Sequence, residues 1–231
     1  MNEKYISEIP KQHINKQGVI LFGSGPSLDK LDLDQLNKQN KYDTCTLSDA
    51  IKVLKNPTFA INYHFSGLQR IAGYIENPKY MIMHSSVVSY EICRRKMRKQ
   101  TINYKLYENY QKKLDSLNNL YYFKCRNKIY KELSLIVSKE YFTTYEENEL
   151  FHSFGSVVGA IHFLINYMKY KIIYYIGFDG GMNYSKLTFH GRKETKRKCA
   201  SRSYKDGWNE IEKIINWFPE IKFIPLKEFF K

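Results

Sequence analysis

Gly23-Ser24-Gly25-Pro26-Ser27 follows the apolar run Val19-Ile20-Leu21-Phe22 and precedes helix-like sequence. Glycines at alternate positions permit backbone angles and a close ligand approach that side chains block, and Pro26, lacking an N–H, fits a first helical turn. Loop amides and the positive end of a following helix would then face an anion, so the chemistry offered is phosphate holding. The same turn also serves α/β proteins as a plain strand-to-helix connection. No Gly-Lys-Ser/Thr follows and no third glycine completes GxGxxG, which argues against ATP held by a P-loop and against NAD. Late in the chain, Gly177-Phe178-Asp179-Gly180-Gly181 puts a carboxylate between glycines, suited to accept from ribose hydroxyls or loop amides.

These groups need strands to carry them. Ile20–Phe22 is apolar on both faces, as a buried parallel strand is, and Thr44–Leu47, Thr58–Ile61 and Tyr80–Met83 repeat a strand–connection–strand pattern. The intervening helices are expected at Leu28–Leu36 and Ala50–Leu54. Ser48-Asp49 and Asn62-Tyr63-His64 then fall at the carboxyl ends of strands, where open α/β sheets place ligand contacts. Residues 87–150 read as a helical, basic, tyrosine-rich excursion or lid whose densest charge is Arg94–Lys99. Such a run grips an anionic acceptor or is simply a solvated helix face. Ser153-Phe154-Gly155-Ser156 opens a helix, Val157–Lys169 is apolar almost all round and is expected to be buried, and Ile172–Ile176 is a central strand. A loop through Tyr184 and His190, the basic run Arg192–Lys198, an amphipathic helix at Asp206–Phe218 and a last strand at Lys222–Pro225 complete the chain. The fold class expected is a single α/β domain, Rossmann-like and doubly wound, with a mostly parallel sheet.

A length of 231 residues, 43% of them hydrophobic, is enough for one substantial core. The formal charge of +14 points to polyanionic company: nucleic acid, an anionic membrane face or phosphorylated substrates. Lysines and tyrosines interleave as base stacking would want, yet no DNA- or RNA-binding motif is present. Cys45, Cys93, Cys125 and Cys199 lie far apart without a CxxC pair and read as reduced thiols of a cytoplasmic protein. Met1–Lys16 lacks an apolar signal core, and the longest apolar stretch, Val157–Met168, is too short to span a bilayer.

Gly-Ser-Gly-Pro-Ser-Leu near the start, with Phe-Gly-Ser, a buried helix and Tyr-Ile-Gly-Phe-Asp-Gly late in the chain, resembles two related groups. One is the bacterial lipooligosaccharide sialyltransferases that use CMP-sialic acid; the other is the MptE-like family, which includes a 6-hydroxymethylpterin pyrophosphokinase and a domain of motility accessory proteins. The likeness covers the two ends of the chain and skips its middle. It implies a nucleotide-sugar donor surrounded by Gly23, Ser24, Gly25, Pro26, Ser27, Ser48 and Asn62. Gly177 and Asp179 would hold the sugar nucleotide, and Ser153, Gly155 and Arg192 join the substrate-binding set. Tyr184 matches the tyrosine that steadies the leaving phosphate. The sialyltransferase base is a histidine before the last helix, where this chain has Ser203 and Tyr204. His190 instead resembles an MptE-like histidine and is assigned as base or phosphate contact, a plain surface histidine being the alternative. The sialyltransferases need no metal or cofactor beyond the donor substrate.

The expectation is a cytoplasmic, metal-independent glycosyltransferase acting on a glycan, glycolipid or protein acceptor, with an anionic membrane surface as a further partner. Its rivals are an MptE-like pyrophosphokinase and a basic nucleic-acid-binding or DNA-modifying protein. The pyrophosphokinase reading lacks the acidic pair for magnesium, since Ala60-Ile61-Asn62-Tyr63-His64 stands where that pair would be.

Overall fold

The computed structural model describes residues 3–11, 17–126, 139–144, 146–151, 156–179, 185, 209 and 211–226. Eight strands, β1 (Val19–Phe22), β2 (Asp43–Leu47), β3 (Phe59–Asn62), β4 (Tyr80–His84), β5 (Leu120–Arg126), β6 (Glu149–Phe151), β7 (Ile172–Ile176) and β8 (Lys222–Pro225), form one sheet. Their order is β6-β5-β4-β3-β2-β1-β7-β8, and every neighbouring pair is parallel. The chain steps outward from β1 to β6, then crosses back to the other side of β1 as β7 and β8. The direction of winding therefore reverses between β1 and β7, and such a reversal opens a crevice at the carboxyl ends of the strands.

All residues of β1, β2 and β3 are buried, as strands covered on both faces must be. Val19 and Leu21 join Cys45, Leu47, Phe59, Ile61, Ile82 and Phe123 on one face, under α6 (Ser156–His162) and residues 211–218. Ile20 and Phe22 face Leu28, Leu36, Ala50 and Val53 on the other. Further along that second face, Ala60, Met81, Met83 and Leu120 pack under α2 (Phe65–Ile71), α3 (Val87–Met97) and α4 (Tyr104–Asp115). Helices on both faces make this the expected doubly wound α/β domain. Its edges resist further pairing: β6 has three residues, and β8 begins with an exposed Lys222 and ends at Pro225.

Several expectations shift. The stretch Leu28–Leu36 is not one helix but a 3₁₀ turn, Pro26–Lys30, followed by α1 (Leu33–Lys38). Asp32 starts the second piece because its carboxylate accepts from the amides of Asp34 and Gln35, both at 3.0 Å. Likewise Ser48–Val53 is a 3₁₀ turn where a helix was expected over Ala50–Leu54. The 87–150 excursion is helical in its first half, whereas its second half supplies two strands of the sheet besides the short helix α5 (Lys139–Thr143). Leu120-Tyr121-Tyr122-Phe123, apolar and aromatic inside basic, tyrosine-rich sequence, pairs with β4 as β5, and β6 closes that edge. The buried helix expected at Val157–Lys169 is α6 continued by a π turn, Phe163–Tyr167, that ends where Lys169 adopts φ 58°. Residues 211–217 are helical within the amphipathic segment. Among the described residues no helix is long and apolar enough to cross a membrane.

Candidate functional site

The carboxyl edge of the sheet carries two different constructions. At the β1–β7 reversal the two glycine loops hold each other. Gly23 N–H donates to Ile176 O and Gly25 N–H to Gly177 O, both at 2.8 Å. Ser27 N–H donates to Asp179 Oδ2, and Gly177 N–H donates to Ser27 Oγ, both at 2.9 Å. The approach is too close for side chains: a Cβ on Gly23 would collide with Gly177 O, and one on Gly25 with Asp179 Oδ2. Gly177 also sits at φ 78°, a left-handed backbone that glycine adopts without strain. Ser185 adds a third strand of contact, donating its amide to Ser24 O at 2.8 Å and its hydroxyl to Asp29.

This corrects the expectation that the amides of the first glycine loop face an anion. Those of Gly23, Gly25 and Ser27 are paired with the β7 loop, and a five-residue 3₁₀ turn replaces the helix whose dipole was invoked. What the crevice does present is Asp179, exposed to solvent and anchored through one oxygen.

The second construction lies at the tips of β2, β3 and β4 and is made of charge. Ser48 leaves β2 with φ 47°, uncommon for a residue other than glycine, and leads into buried Asp49. Asp49 Oδ2 accepts from Arg70 Nε at 2.7 Å and Oδ1 from Lys52 Nζ at 3.1 Å. Asn62 is fully buried; its Nδ2 donates to His64 O at 2.9 Å, and its Oδ1, pressed against Gly67, has no hydrogen-bond partner among the described residues. Tyr63, between Asn62 and His64, is buried and donates to Phe151 O at 3.0 Å, which fixes the segment.

His64 heads α2 and His84 ends β4, with its ring centroid 5.6 Å from that of Phe123. Desolvation lowers the basicity of His64, and the positive charges of Arg94 and then Arg70 lower it further, Glu91 acting the other way. His84 falls to about 4, first through desolvation and then through His64. Glu91 is buried on α3; burial raises its carboxyl, but hydrogen bonds from Arg94 and Arg95 outweigh this and leave it below the ordinary value. Arg94 grips it through Nε at 2.7 Å and Nη2 at 2.8 Å, and Arg95 through Nε at 3.0 Å. Two of the five cations of the Arg94–Lys99 run are thus engaged within their own helix, while Lys96, Arg98 and Lys99 are exposed.

Of the residues singled out by sequence, Gly23, Ser24, Gly25, Pro26, Ser27, Gly177 and Asp179 meet at the β1–β7 crevice, and Ser48 and Asn62 stand at neighbouring strand tips. Ser153, Gly155, Tyr184, His190 and Arg192 lie outside the described residues. Sequence reading missed His84 and the pairing of Arg70 with Asp49. Ending β4 one residue early concealed the first, and nothing in the local pattern links positions 21 residues apart for the second. Neither a protein-family model nor a curated protein matches this sequence.

Proposed function

We propose that this chain is a glycosyltransferase that takes a sugar from a nucleotide donor, with CMP as the first candidate nucleotide. The observation that carries the reading is the meeting of the Gly23–Ser27 and Gly177–Asp179 loops at the point where the sheet reverses its winding, with Asp179 open to solvent. Crevices of this kind receive nucleotides, and a carboxylate there accepts from ribose hydroxyls. Asp179 would bind the donor, the resemblance to the sialyltransferases assigns Tyr184 to the leaving phosphate, and His190, which resembles the MptE-like histidine, would serve as base or phosphate contact.

The test is a thermal-shift series with CMP, UDP, GDP, their sugar conjugates, and ATP with and without magnesium. A ligand that binds only the folded chain raises its stability by about 2.7 kcal/mol at a hundredfold excess over its dissociation constant. Stabilisation by one nucleotide family without magnesium, lost in Asp179→Ala, is the expected result. Stabilisation by magnesium-ATP alone would transfer the chain to the pyrophosphokinase reading, and binding of nucleic acid with a steep salt dependence, and of no nucleotide, would transfer it to the third class.

A further inference from the structure

The tips of β3 and β4 gather basic side chains that the nucleotide crevice does not use. The pairing of Asn62 with Met83 sets the segments that follow, Tyr63-His64 and His84, side by side at the carboxyl edge. The helix after each tip carries an arginine: Arg70 of α2 donates Nη1 to Ser66 O in the first turn of its helix, α3 carries Arg94, and beyond the effect of burial the charges of Arg94 and then Arg70 lower the basicity of His64 further. Asp49 and Glu91 neutralise part of this charge, but they face Lys52, Arg70, Arg94 and Arg95, so four cations meet two carboxylates. Each arginine keeps a nitrogen in reserve, for Arg70 bonds through Nε and Nη1 and Arg94 through Nε and Nη2.

We propose that His64, His84, Arg70 and Arg94 form a phosphate-binding subsite at the β3–β4 tips. Two guanidiniums beside two imidazoles repel a metal cation and attract an anion, and guanidinium N–H groups match phosphate oxygens in geometry. Desolvation holds both rings toward their neutral form, so they add little charge of their own, and a phosphate placed beside them draws protons onto the rings and strengthens its own binding. The first turn of the eleven-residue α3, which begins at Val87 after the N-cap residue Ser86, adds the positive end of its dipole. The phosphate is that of the donor or that of a phosphorylated acceptor, and the subsite stands whichever substrate brings it.

The test is proton NMR of the histidine ring C–H signals in the full chain, assigned with His64→Gln and His84→Gln, during titration with inorganic phosphate at constant ionic strength. Phosphate is expected to shift the His64 and His84 signals saturably and to raise their titration midpoints, whereas chloride does neither. The double variant should lose about tenfold or more in phosphate affinity with an unchanged near-ultraviolet circular dichroism spectrum. CMP that competes with phosphate at these two signals identifies the donor's phosphate as the occupant. CMP that leaves phosphate bound, with phenyl phosphate displacing it, identifies an acceptor's; both results support the subsite. Silence of both signals during the phosphate titration overturns it, as does undiminished phosphate affinity in the folded double variant. Because inorganic phosphate is the probe, this outcome is independent of whether any nucleotide binds at Asp179.

Discussion

The β1–β7 crevice and the β3–β4 tips lie on the same edge of one sheet and are held by opposite means. At the crevice, backbone meets backbone: amide and carbonyl groups of two glycine loops pair at 2.8 Å, and shape leaves no room for a Cβ. At the tips, long side chains from α2 and α3 converge on buried carboxylates, and geometry is set by charge. Added volume should therefore be felt strongly where the two glycine loops touch, and a change of charge should be felt most at the ion pairs of the tips.

The largest effect is expected where a charge is removed at the tips. Asp49→Ala leaves Arg70 and Lys52 facing each other without their carboxylate, and the side chains of Lys52 and Asp49 are only 6% and 11% exposed. Breaking such a buried pair costs about 3–5 kcal/mol. Urea unfolding measures this, and a loss below about 1 kcal/mol, the range of exposed pairs, would mean that charge does not organise this region. Next comes volume at the crevice: Gly177→Ala forces a side chain into the left-handed backbone and brings Cβ within 2.6 Å of Gly23 O. Backbone strain and contact together should remove about 3 kcal/mol, and an unaffected midpoint of unfolding would show that the two loops part easily.

A pH series separates the regions more finely. Folded His84 accepts its proton only near pH 4, against about 6.5 when unfolded. Between these values the unfolded chain binds more protons, so its contribution is complete above pH 6.5 and is lost as pH falls toward 4. Discounted for the partial exposure of the ring, the loss is about 2 kcal/mol. His64, shifted in the same direction, adds to it. His84→Gln should flatten this part of the stability profile; a slope that survives the substitution belongs to other groups. The smallest effect is Ser27→Ala, which leaves the Gly177 amide without its 2.9 Å acceptor. Its cost of about 1 kcal/mol should be the same at pH 5 and pH 8, checked by unfolding at both values.

Local sequence was enough to place most strands and both glycine loops. Runs such as Val19–Phe22 and Tyr80–Met83 announce themselves because a strand's burial is written in consecutive residues, and the glycines after Phe22 and Ile176 mark the turns that follow. Partnership was not legible in that way. Which groups the amides of Gly23, Gly25 and Ser27 meet depends on β7 lying beside β1, about 150 residues later, and only the assembled sheet decides that they pair with Ile176, Gly177 and Asp179. In the same way Arg70 reaches Asp49 and His84 comes beside His64 because β2, β3 and β4 are neighbours in parallel. Sequence determined where the chain could offer polar groups, since that follows from local backbone and burial preferences; tertiary structure decided which of them are already engaged, since hydrogen bonds and charges act through space and not along the chain.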